Sequence, residues 1–223
     1  MPTSTFFRLP EEKRERLMDA AWAEFTSTRF TDASINRIIH STRIPRGSFY
    51  QYFQDKEDLF WHLLGEIRQY FFGVFEEVLR ETRGDLFPFP VHVFDRFMDP
   101  TGSTDPILQR CIQIMQLNPG FDFRNLLFRG GELMTAPLLE MVDLSGFRRK
   151  DPAFVNHICI LLVAALAYAV METTQDPEQW KRQREILEER IEIVKWGGLF
   201  PEGKGGPAEQ GGQIGRASCR ERV

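Results

Sequence analysis

The segment from Lys56 to Arg83 constrains this chain more than any other. Leu59, Leu63, Ile67, Phe71, Phe75 and Val78 recur along it every three to four residues, which is the period of one helix face. No proline interrupts it before the turn GDLFPFP. One stripe of that length, about 40 Å at the helical rise, needs other helices to cover it. The remaining sequence supplies them, because no segment shows the two-residue alternation of a half-buried strand. Three Asp-Pro pairs, Asp105-Pro106, Asp151-Pro152 and Asp176-Pro177, each place a capping carboxylate before a proline suited to a first helical turn. The expected fold class is all-α.

Shorter helices precede the long one. The first starts near Pro10, with Glu11 and Glu12 at the positive end of its dipole, and buries Leu17, Ala21 and Phe25. Asp32 and Ser34 are both candidate caps for a second helix carrying Ile35, Ile38 and Ile39. Arg43-Ile44-Pro45 interrupts it, a third helix runs from Pro45 to about Tyr52, and Asp55 caps the long fourth. Three short helices and a long one are the layout of a helix-turn-helix head. Beyond it, helices are expected over 91–98, 107–117 and 125–142, then two long ones ending near Thr174 and Trp196. From Pro201 the chain turns Gly-rich and basic, a composition that cannot form a core, and 215–223 read as vector-derived. The expected domains are therefore a head over 1–55, a helical effector-binding and dimerisation domain over 56–200, and a disordered tail over 201–223.

Charge distribution sharpens the reading of the head. The net charge is −4, so the whole chain does not advertise a polyanion partner. Residues 1–56, however, hold nine Lys and Arg against seven acids, and between Ala33 and Gln54 there are three arginines, one histidine and no acid. A local basic window on an acidic chain is the footprint of a nucleic-acid contact. Three widely spaced cysteines, Cys111, Cys159 and Cys219, show no metal-ligand spacing and fit a reducing compartment. The longest apolar run, 158–171, is shorter than the ~20 residues of a spanning helix. No membrane role is expected, and the localisation read from these features is cytoplasmic.

Within the window, RGSFYQYFQDKEDLF (Arg46–Phe60) carries more aromatics than one buried helical turn can use. Phe49 and Phe53, four apart, pin a helix to the core. Tyr50, Gln51 and Tyr52 are then expected to face outward, where a hydroxyl can meet phosphate and an amide can pair with a base edge. Gly47 and Ser48 keep the first turn small enough for close approach to a duplex. Arg46 can reach guanine or phosphate, and Lys56 opens the next helix where an anion is already favoured.

The stretch FTDASINRIIHSTRIPRGSFYQYFQDKEDLF (Phe30–Phe60) resembles the N-terminal signature of TetR-family transcriptional regulators, over roughly residues 10–62. The resemblance implies an all-helical homodimer with an N-terminal DNA reader and a C-terminal effector-binding domain. It places Ser34 and Arg46–Ser48 against the duplex, Tyr50, Tyr52 and Lys56 on phosphates, and Gln51 near bases. Arg43 departs from the family, which usually has Gly at that turn. A left-handed backbone there would cost about 1 kcal/mol.

The rest of the chain is read from its own residues. Phe94, Phe97, Met115, Phe128 and Met134 are the expected lining of a pocket for a small hydrophobic effector, since a soft aromatic region broken by Pro and Gly can reshape around an apolar ligand. Each of them equally suits a plain core. Ala165, Ala169, Trp180, Leu187, Ile191 and Val194, on the two C-terminal helices, are the expected dimer interface. Four separate histidines, with no nucleophile elbow, phosphate loop or metal-ligand cluster, argue against an enzyme, and no cofactor is expected. The chain reads as a one-component regulator, most simply a repressor, that binds a near-palindromic double-stranded operator as a homodimer. The alternative is a helical small-molecule binding or scaffold protein without specific DNA binding.

Overall fold

A computed structural model describes residues 2–42, 44–99, 104–121 and 136–198. Among them the fold is all-α, with no named strand and one isolated bridge between Met98 and Thr104. The head comprises α1 (Ser4–Phe7), α2 (Glu11–Ser27), α3 (Ile35–Thr42) and α4 (Arg46–Tyr52). α5 (Lys56–Glu81) leads into the body, which holds α6 (Phe89–Phe97), α7 (Pro106–Leu117), α8 (Ala136–Glu140), α9 (Pro152–Gln175), a 3-10 turn (Pro177–Gln179) and α10 (Trp180–Gly198). The sequence did not announce α1. The tail, Arg43, Phe128 and Met134 lie outside the described residues.

The local grammar is followed closely. Asp55 accepts from Asp58 N–H at 2.7 Å, Asp105 from Ile107 and Leu108 N–H at 2.9 Å, and Asp151 from Phe154 N–H at 3.1 Å. The third Asp-Pro pair behaves differently. Pro177 opens a 3-10 turn, and Asp176 takes the Gln179 side-chain amide at 2.7 Å instead of a backbone N–H. All six stripe residues of α5 are buried, under α2 on the head side and under α6 and α7 on the body side. α9 packs along α10 and α6. It is the one described helix long and apolar enough to cross a membrane; packing within the body accounts for the apolar residues on its inner side, while Leu161 and Tyr168 stay exposed.

Three of the six residues expected at a dimer contact are taken up by the core of their own chain. Ala169, Leu187 and Ile191 are buried within their own chain. Val194, Ala165 and Trp180 pack against the same core, and Trp180 Nε1–H donates to Met98 O at 2.9 Å. The apolar stripe of α10 is needed to close the body itself. The large apolar side chains left exposed on this pair are Leu161, Tyr168, Ile193 and Trp196.

Candidate nucleic-acid interface and ligand cavity

α4 is a short helix held on one side and free on the other. Phe49 and Phe53 are fully buried, with their rings 5.8 Å apart. Arg46, Gly47, Tyr50 and Gln51 are exposed and Ser48 is half-buried, so they form the outward face that the sequence predicted. A Cβ added at Gly47 would meet nothing within 4 Å; the fold of the chain itself does not require a glycine there. Tyr52 does not share that face. It is 9% exposed, because its position, three after Phe49, turns it onto the same buried side of the helix.

Two charged clamps hold the head together. Glu24, buried on α2, accepts from Arg37 Nε at 2.9 Å and from Ser34 N–H at 2.7 Å, while Arg37 Nη2 also donates to Asp32 O at 2.8 Å. Burial pushes the Glu24 carboxyl up, but the Arg37 bonds and the Ser34 N–H outweigh it and hold the group below the usual carboxylate range. Arg37 therefore brings no free positive charge to a duplex. Lys56 Nζ donates to Thr31 O at 3.1 Å and Ala33 O at 3.0 Å, 4.8 Å above the Phe30 ring. Expected as a phosphate ligand, it first ties the α3 entry to α5, with one N–H left over. Sequence spacing could not reveal either clamp, since the ion pair Glu24–Arg37 spans 13 positions and the Lys56 bonds span 23 and 25.

In the body, Phe97 and Met115 line an apolar cavity of about 170 Å³ between α5, α6, α7 and α9. Phe94 does not: it is fully buried with its ring 6.1 Å from Trp180. The remaining described lining comes from Phe71 and Phe75 on α5, from α7, and from Val163, Leu166, Val170 and Met171 on α9. Sequence reasoning gave α9 to the dimer contact and so missed its cavity face. No described lining side chain is charged. Cys111 also lines the cavity, and burial raises its thiol to about 12, so it acts there as a packing group. Among the described residues no group of three or more His, Cys, Asp or Glu could hold a metal ion.

These features define a helix-turn-helix DNA-binding head on a helical body. Residues 17–63 match the family described as bacterial regulatory proteins, tetR family. A Bacillus subtilis (strain 168) protein described as the uncharacterized HTH-type transcriptional regulator YdgC is 36% identical over 71 residues, which are 32% of this chain. The chain thus spans 36% of the length of that curated relative. A crystal structure of a TetR family transcriptional regulator from Chloroflexus aurantiacus J-10-FL shares 26% identity at a TM-score of 0.46, covering 90% of this chain and 100% of its own.

Proposed function

We propose that this protein is a ligand-responsive, one-component transcriptional regulator, acting as a repressor that binds a near-palindromic operator as a homodimer. The observation that carries the reading is the free face of α4. It presents Arg46, Gly47, Tyr50 and Gln51 together, within the stretch Ala33–Gln54, which holds no acid. In the duplex complex Gln51 reads a base edge while Arg46, Ser48, Tyr50 and Lys56 hold phosphates. Tyr52 serves as an anchor for the helix. The division into a head over 1–55 and an effector and dimerisation body over 56–200 belongs to the same reading, as does a cytoplasmic location, where the DNA is. No catalytic step is assigned.

The effector is a small, uncharged, apolar molecule in the cavity lined by Phe97 and Met115, where no described side chain could neutralise a charge. It need only bind the DNA-competent and released states differently to shift their populations. The test is selection of genomic fragments on the purified full chain at two salt concentrations, followed by sequencing. Enrichment of a short inverted repeat, with affinity falling steeply as salt rises, is the expected outcome. Uniform weak retention would move the function to a helical binding protein that does not read DNA.

A further inference from the structure

The reading helix is held by a segment that precedes residues 17–63. α4 ends at Tyr52 and, like any helix, leaves its last carbonyls without partners inside the helix. Phe49 O takes the Phe53 N–H at 3.0 Å. Gln51 and Tyr52 are served from the other end of the head: Thr3 Oγ1 donates to Gln51 O at 2.5 Å, and Thr3 N–H donates to Tyr52 O at 2.9 Å. Three residues further on, Phe6 is 1% exposed. Its ring lies 4.9 Å from Phe53 and 5.2 Å from His62, so α1 is wedged between the end of α4 and α5.

We propose that residues 3–9 are a strap that sets the pose of the reading helix, with Thr3 as a positioning residue for Gln51. A seven-residue helix is far below the length at which helices persist alone, so α4 takes its order from what it touches. Phe49, Tyr52 and Phe53 fix its inner side, which leaves rotation about that side and fraying of the C-terminal turn. Thr3 restrains both, and it grips the backbone of the very residue whose side chain is assigned to bases. Recognition of a base edge needs that side chain held within about 0.5 Å, a demand the buried aromatics alone do not meet at an exposed position. The proposal rests on the assignment of α4 as the DNA reader.

Thr3 has φ −74° and ψ 163° and makes no side-chain capping bond to α1. Proline adopts that φ, but its ring carbon takes the place of the N–H that points at Tyr52 O, so Thr3→Pro removes both donors and pushes the segment off the end of α4, whereas Thr3→Ser keeps both. In the full chain, amide exchange of residues 46–53 is measured by mass spectrometry, together with affinity for the inverted repeat that the wild-type chain selects. Thr3→Pro is expected to speed exchange in α4 and to weaken binding by roughly five- to a hundredfold, the range that losing two hydrogen bonds implies. The salt slope should stay unchanged, because no phosphate contact is lost, and Thr3→Ser should match wild type. Wild-type exchange and affinity in Thr3→Pro would overturn the strap. If the wild-type chain selects no site, the assignment of α4 fails instead, and the exchange comparison still decides whether Thr3 orders that helix.

Discussion

Gly47 is a residue whose presence the packing of the chain does not explain. It lies in an exposed first helical turn with open space where a side chain would be, and glycine in a helix costs about 1 kcal/mol relative to alanine. On the proposed reading of α4, close approach of a duplex backbone is the reason to keep it. Gly47→Ala should therefore raise the stability of the chain by about 0.5–1 kcal/mol, read from chemical denaturation, while weakening operator binding. A variant that is more stable and binds equally well would remove close approach as the reason. Glu24 makes the opposite demand, since its carboxylate serves the fold. Its folded-state value is depressed below the ordinary 4.5, so its contribution is fully present above that pH and is lost as pH falls through the depressed value. Glu24→Gln should flatten the acid limb of a stability–pH curve below about pH 4.5 and cost about 1–3 kcal/mol at neutral pH, because its amide oxygen can still accept from Ser34 and Arg37 but no longer pairs a charge with the guanidinium.

α7 is the element through which head and body meet. On one side its Leu108, Cys111, Ile112 and Met115 line the cavity. On the other, Arg110 lies 5.0 Å over the Trp22 ring, and Asn118, just past the helix, accepts the Phe30 N–H at 2.8 Å. Tyr70 donates to Asp105 Oδ2 at 2.6 Å, fixing the start of α7 to α5. A ligand that shifts α7 would therefore act on the head directly, in addition to any tilt it imposes on α5, which runs from the head into the body and also lines the cavity. Asn118→Ala should leave ligand binding in the cavity within about twofold but shrink the ligand-induced change in operator affinity, a coupling that is typically 5–150-fold. Titrating operator binding with and without ligand checks this; unchanged coupling would leave α5 as the sole lever. The sequence made the helices themselves legible, because apolar spacing and Asp caps are local signals, and it made the outward face of α4 legible through Phe49 and Phe53. It misassigned Tyr52, Phe94 and the stripe of α10. Each of those depends on which side another helix covers, and spacing along one chain does not specify that.

At the scale of the molecule, the face that would join two copies is the one the body leaves uncovered. Leu161 and Tyr168 on α9, with Ala164 between them on the same face, lie exposed. Ile193 and Trp196 on α10 are more exposed still, at 72% and 64%. Arg190 stacks 4.3 Å from the Tyr168 ring centroid, which leaves the outer edge of that ring open to a second copy. Two substitutions on α10 separate interface from core. Leu187, fully buried, should cost about 2–5 kcal/mol on truncation to alanine and, in the fraction that stays folded, leave the association state intact. Ile193→Asp should do the reverse, keeping the helical signal and melting temperature of the protomer while sedimentation shifts to the monomer. Because two heads on one operator bind with an effective-concentration advantage of 10²-fold or more, that monomer should lose at least about a hundredfold in operator affinity. Its binding to a single half-site should match that of the wild-type head. A dimer that persists in Ile193→Asp would place the contact elsewhere on the body.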